Sequence, residues 1–349
     1  MKLLHVFPSF APAPMALRLA EVAKAGRKVS HHVVSLDGDL SALDAMPETT
    51  TSEAFLARRR GPDQLGLRQR IGAIRADILC TYGFGALDAA TANAAGPKLA
   101  HIHHEEASGA EADGKGARLR TIAAAGGLIV VSWPQAAETA RKRWRIPARS
   151  LRLIEAGVDT RRFRPPERRA GEGELVTIGY VGALDNERKA SLLFKAFAGA
   201  RARLASRLVI YGEGLARPSS ENLARTLGVR RRIFFRETPK DLDAAYDEFD
   251  ALVFLGDGAS EQLLAAMASG LAVAAENVGD VKATLARENR SLIVSEDDAV
   301  GLAAVLARLV NDAGARELVG SANVARVKQD FTLAKMSKAY LDLYRTFAA

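Results

Sequence analysis

Short apolar runs alternate with helix-period segments along most of this chain. Leu3 to Phe7, His32 to Leu36, Asp77 to Thr81, Leu99 to His103, Leu128 to Val131 and Leu151 to Ile154 each read as a strand. Helix spacing appears in Met15 to Ala25, Arg68 to Ala76, Ala86 to Ala95 and Trp133 to Trp144. This alternation predicts a parallel, doubly wound α/β sheet, which takes its ligands at the carboxyl ends of its strands. The loops after Phe7, Thr81 and His103 therefore belong to a predicted cleft.

A polar stretch rich in Pro and Gly, Arg164 to Glu174, reads as a linker. The alternation then restarts. Thr177 to Val181, Arg207 to Tyr211, Arg232 to Phe235, Ala251 to Phe254, Leu271 to Ala275 and Leu292 to Val294 are predicted strands. Ala190 to Ala202, Ser220 to Leu227 and Leu242 to Asp247 are predicted helices, and another is capped by Ser260 and stopped by Gly270. At the end of the chain, Met336, Tyr340, Leu343, Tyr344 and Phe347 fall on one helical face that must pack on something.

The 349 residues suit two domains, and an apolar fraction of 48% is enough for two cores. The formal charge of +8 admits nucleic acid, an anionic membrane surface or a polyanionic small ligand as partner. No zinc finger, aromatic RNA-binding motif or paired basic arm is visible, so nucleic acid is not expected. The single cysteine, Cys80, excludes an internal disulfide and reads as a small core residue. Met1 to Phe7 is too short for a signal peptide, and no apolar run could span a bilayer. A cytoplasmic protein is expected, with peripheral contact at the inner face of an anionic membrane left open. Arg141-Lys142-Arg143-Trp144-Arg145 could lie on such lipid or be a solvated helix end.

Three segments carry candidate chemistry. Asp257-Gly258-Ala259-Ser260-Glu261 leads from a strand into a helix, where free N–H groups can face an anion. Gly182-Ala183-Leu184-Asp185-Asn186-Glu187-Arg188-Lys189 also leads from a strand to a helix, with two cations at its end. It reads either as a phosphate-binding turn or as a solvated one. His103-His104-Glu105-Glu106 closes a strand at the predicted cleft. Its carboxylates should raise a histidine pKa, and no third ligand suggests a metal. A purely structural polar cluster is the other reading.

The stretch from Asp257 to Val273 resembles the nucleotide-sugar site of retaining glycosyltransferases of family 4, which have the GT-B fold. That family usually has Glu-Gly-Phe-Gly followed by Leu-Leu-Glu-Ala-Met-Ala-Cys-Gly. Here the two glutamates are replaced by Asp257 and Ala265. Gly182 to Ala190 resembles the family's Gly-Arg-Leu…Lys-Gly, with Ala183 at the Arg position and Arg188 at the Lys position. Gly157-Val158-Asp159, Phe163 and Pro165 follow its Asn-Gly-Val-Asp…Phe…Pro, and Tyr211-Gly212-Glu213-Gly214 its Gly-Asp-Gly turn. The loop after Phe7 has Ala and Pro where members often carry Gly-Gly.

The resemblance implies two Rossmann-like domains facing a cleft. Residues 1–165 would be the acceptor domain, 166–330 the nucleotide-sugar donor domain, and 331–349 a terminal helix crossing back onto the first domain. It implies transfer, with retention and without a metal or other cofactor, from a nucleoside-diphosphate sugar to a saccharide or lipid-linked saccharide hydroxyl. The setting would be bacterial surface polysaccharide synthesis. His104 and Asp257 would be catalytic. Gly182, Arg188, Lys189, Arg236, Gly258, Ser260 and Glu261 would bind the donor, and Glu105 and Glu106 would lie on the acceptor side. The substitutions at Ala183, Ala265 and the Ala-Pro loop also fit a non-catalytic GT-B protein that binds a saccharide or partner. A GT-B sugar epimerase is the third reading.

Overall fold

The computed structural model describes residues 1–55, 64–106, 115–202, 205–237, 239, 241–256 and 258–348. The chain divides into two compact units, Met1–Ala156 with Leu333–Ala349, and Gly157–Thr332. The division falls a few residues before the predicted linker. Val158 N–H bonds the Phe331 carbonyl at 2.9 Å, and Phe163 packs edge-on against Tyr246, so residues 157–165 associate with the second unit.

The first unit is a seven-stranded sheet of β1 (Lys2–Phe7), β2 (Ser30–Ser35), β3 (Thr51–Ala54), β4 (Ile78–Tyr82), β5 (Ala100–Glu105), β6 (Leu128–Val131) and β7 (Leu151–Leu153). Their order is β3-β2-β1-β4-β5-β6-β7, and every pairing is parallel. The pattern missed β3 because TSEA carries no apolar alternation and is mostly exposed at the sheet edge. One face packs on the helices Pro14–Ala25 and Leu333–Ala348, through Leu19, Val22, Met336, Tyr340 and Tyr344. The other buries Leu87, Leu119, Ile122 and Ile129.

The second unit is a six-stranded parallel sheet of β8 (Val176–Val181), β9 (Ser206–Tyr211), β10 (Ile233–Arg236), β11 (Ala251–Phe254), β12 (Ala272–Glu276) and β13 (Ile293–Val294). Its order is β10-β9-β8-β11-β12-β13, so the winding reverses between β8 and β11. In the first sheet it reverses between β1 and β4. Crevices open where neighbouring connections leave toward opposite faces, which marks the loops after β8 and β11 in one unit and after β1 and β4 in the other. Both units are Rossmann-like. Among the described residues, no helix is long and apolar enough to cross a membrane.

All six histidines lie on strands of the first unit. His31 Nδ1 is 3.0 Å from His5 Nε2, and His5 Nδ1 is 2.9 Å from the Tyr82 hydroxyl. The Tyr82 ring stacks on His104 at 4.4 Å. Burial lowers the pKa of His31 to about 4 and, with His103 nearby, that of His101 to about 3. His5 and His104 are also driven well below 6.5, first by burial and then by neighbouring histidines, with Arg18 adding to the effect on His104. Such histidines contribute stability above their unfolded pKa, and it is lost as the pH falls toward the folded value. Each removes about 1.4 kcal/mol per pH unit over that window. The urea midpoint should therefore drop steeply between about pH 6.5 and pH 4. A midpoint that holds level through this range would contradict the buried neutral cluster.

Candidate functional site

In the second unit, the residues after β8 and β9 pack backbone against backbone. Gly182 N–H bonds Tyr211 O at 3.0 Å, Leu184 N–H bonds Glu213 O at 2.8 Å, and Ala216 N–H bonds Leu184 O at 2.7 Å. A Cβ on Gly212 would lie 1.9 Å from the Gly182 carbonyl oxygen, and one on Gly214 would lie 2.4 Å from the Leu184 carbonyl carbon. No side chain fits at either place. These contacts lead the chain from Gly182 to Asn186, whose side chain caps the helix Glu187–Gly199 by accepting from the Arg188 and Lys189 amides.

The two cations at this helix start have different surroundings. Lys189 is a tenth exposed, and its ammonium lies 2.5 Å from Glu276 Oε2. Glu276 is fully buried at the carboxyl end of β12, and its other oxygen accepts from the Asp297 amide at 2.7 Å. Arg188 is 63% exposed and pairs with Asp297 and, at 3.8 Å, with Glu296. The sequence reading overlooked Glu276. Its signal was a lone carboxylate closing the apolar run Ala272–Glu276.

Across the switch point, β11 leads through Gly256 and Gly258 to the helix Glu261–Ala268. Ser260 is its N-cap and accepts from the Leu263 amide at 3.4 Å. Glu261 stands half-buried in the first turn, while Ala265 is buried one turn later. Asp257 lies outside the described residues. Arg236 ends β10 and donates to the Tyr211 hydroxyl at 3.0 Å and to Glu248 at 2.6 Å. Gly182, Arg188, Gly258, Ser260, Glu261 and Arg236 thus all stand at the carboxyl end of one sheet.

In the first unit, His104, Glu105 and Glu106 close β5. His104 is 5% exposed, lies 5.6 Å from the Tyr340 ring, and has no hydrogen-bond partner on Nε2 among the described residues. The expectation that carboxylates raise its pKa is corrected. Burial, together with His103, Arg18 and His101, lowers it and keeps the ring neutral. Glu105 is buried and meets His103 at 3.4 Å and Lys115 at 3.1 Å. Burial opposes its ionisation, but these two partners prevail and hold the carboxyl below its usual range. Glu106 pairs with Arg18 at 2.9 Å and remains 23% exposed. Trp144 is corrected as a lipid-facing side chain: it is 3% exposed and lies beneath the Lys115 ammonium at 5.4 Å.

Comparison with known proteins agrees with this architecture. Residues 176–312, which contain all six strands of the second sheet, match the family model of group 1 glycosyl transferases. A D-inositol 3-phosphate glycosyltransferase of Salinispora tropica is 28% identical over 220 residues, covering 56% of this chain and 45% of that protein. One of Saccharomonospora viridis is 29% identical over 216 residues, covering 56% and 50%. The chain spans about half the length of the curated relatives it matches. A glycosyltransferase from Rickettsia africae superposes with a TM-score of 0.82 at 16% identity, covering 99% of this chain and 98% of that one. Anabaena HepE in complex with UDP superposes at 0.80 and 15% identity, covering 99% and 100%. The fold is GT-B, and its second Rossmann-like unit carries the group 1 glycosyl transferase match.

The Lys189–Glu276 pair yields a stability prediction. Lys189→Met leaves a buried carboxylate without its cation, which costs about 3–5 kcal/mol. The double variant Lys189→Met with Glu276→Leu should recover much of that loss in urea unfolding. Additive losses in the double variant would contradict the pairing.

Proposed function

We propose that this protein moves a sugar from a nucleoside-diphosphate sugar to a hydroxyl of a saccharide or lipid-linked saccharide. Transfer retains the anomeric configuration, and the product belongs to bacterial surface polysaccharide. One observation carries the reading: the stretch that matches group 1 glycosyl transferases holds two turns at a topological switch point, one closed by glycine contacts and one ending in a capped helix tip. The UDP in the HepE complex and the activity named for the curated relatives support the substrate class.

In this scheme the bond between the anomeric carbon and the diphosphate oxygen breaks, and its electrons leave with the diphosphate. The acceptor oxygen attacks from the same face, and its proton passes to the departing phosphate. Charge growing on that phosphate is met by backbone N–H groups near Gly258 and Ser260 and by Arg188, which exchanges Asp297 and Glu296 for phosphate. Lys189 keeps Glu276 and reaches the phosphate with its remaining donors. Asp257 contacts the sugar and Glu261 the ribose side, while Arg236 stands near the base. Protein groups carry all the charge, with no part assigned to a metal or cofactor. On the acceptor side, Glu106 is the carboxylate that reaches solvent. His104 positions the reacting groups as a neutral ring, while Glu105 holds His103 on the opposite face of β5.

Titration calorimetry with UDP, GDP and ADP tests the donor site. One nucleotide should bind, and Arg188→Ala should weaken it about 10-fold or more, the scale of a lost charged hydrogen bond. If none of the three binds, the non-catalytic reading takes over.

Peripheral membrane contact forms a second part of the proposal. Arg141, Lys142, Arg143 and Arg145 are exposed around the buried Trp144, so charge rather than aromatic insertion would hold the surface. Co-sedimentation should occur with vesicles containing phosphatidylglycerol and not with phosphatidylcholine alone. Equal behaviour toward both vesicle types would refute it.

A further inference from the structure

A cavity of about 610 Å³ opens in the first unit between the helices Leu87–Ala94 and Lys115–Ala124. Ala100, His101 and Gly127 border it where β5 and β6 begin, so it lies at the sheet end opposite the candidate site. Its size and its walls of Leu87, Ala90, Ile122 and Ala125 suit a small apolar ligand. No carboxylate lines it, while Lys98 and Arg118 do. Arg118 pairs with Asp88, and no carboxylate pairs with Lys98 among the described residues. A cationic ligand is therefore disfavoured.

Among its polar lining residues is the buried imidazole of His101, 8% exposed. Its Nε2 lies 2.8 Å from Thr81 Oγ1, and Thr81 Oγ1 lies 2.8 Å from His103 Nδ1. His103 Nε2 in turn meets Glu105. Proton positions along this row follow from one end. An ionised carboxylate only accepts, so His103 gives it the Nε2 proton. Where His103 carries the Nε2 proton alone, its Nδ1 accepts from the Thr81 hydroxyl. That oxygen accepts in turn from His101 Nε2–H, and a neutral His101 is left with Nδ1 as a bare acceptor. Among the described residues nothing donates to it. Such an acceptor on the cavity wall is matched by a ligand that brings a donor.

We propose that this cavity binds a small, uncharged or anionic, largely apolar molecule whose hydroxyl or amide N–H donates to His101 Nδ1. The site is separate from the donor site described above. Through Thr81 and His103, its occupancy fixes the tautomers that hold Glu105.

The probes are 4-propylphenol and 4-propylanisole, which share an apolar body and differ in the donor. Each is titrated into the ¹⁵N-histidine-labelled full chain at about pH 8, where free imidazole is neutral. The phenol should bind saturably, at least about 10-fold tighter than the ether, and shift the His101 Nδ1 resonance. Ala94→Phe, which places a ring at the cavity rim, should abolish both effects while its unfolding curve stays cooperative. Equal affinity for the two probes, binding of neither, or binding that leaves His101 unmoved would overturn the proposal. The comparison on the unaltered chain decides the matter even where the variant folds poorly.

Discussion

The carboxyl end of the second sheet depends on a contact that only glycine permits. Gly212 and Gly214 bring one connection against the backbone of another, within 1.9 Å and 2.4 Å of where their Cβ atoms would stand. That approach directs the chain after β8 into Asn186 and places the start of the helix Glu187–Gly199 beside the switch point. Any side chain there would push the turn outward and take the helix start with it. The geometry is thus set by what is missing from two residues, before any charge is considered.

Charge is then arranged around a fixed frame. Lys189 is nearly buried and needs Glu276, and Glu276 needs Lys189 and the Asp297 amide. The mutual requirement ties β12 to the helix after β8 across the interior, and an unpaired member would cost several times a surface ion pair. Arg188 sits in contrast at the surface, in contacts that solvent weakens and an anion can displace. One cation is thus locked in the interior and the other exchangeable at the surface, as the proposed phosphate site requires.

The periodicity of the chain located nearly every strand because fully buried parallel strands are continuous apolar runs. It missed β3, whose residues Thr51–Ala54 are polar and lie at an edge where burial exerts little selection. The Ser260 cap was legible since backbone geometry dictates that residue type directly, and the Gly212–Gly214 turn through its resemblance to the family's Gly-Asp-Gly. Ion pairing was not, because Lys189 and Glu276 are 87 positions apart and meet only through the sheet order. The same holds for His104. Its sequence neighbours are carboxylates, but alternation along β5 sends Glu105 to the opposite face, and His104 packs instead on Tyr82 and Tyr340.

Hydrogen–deuterium exchange with and without UDP tests the central claim most directly. The account predicts slower exchange in two separated segments, 182–190 and 258–263, where the glycine-closed turn and the capped helix tip stand at the carboxyl end of the second sheet. Protection confined to other segments, or no protection in either of these two, would contradict it.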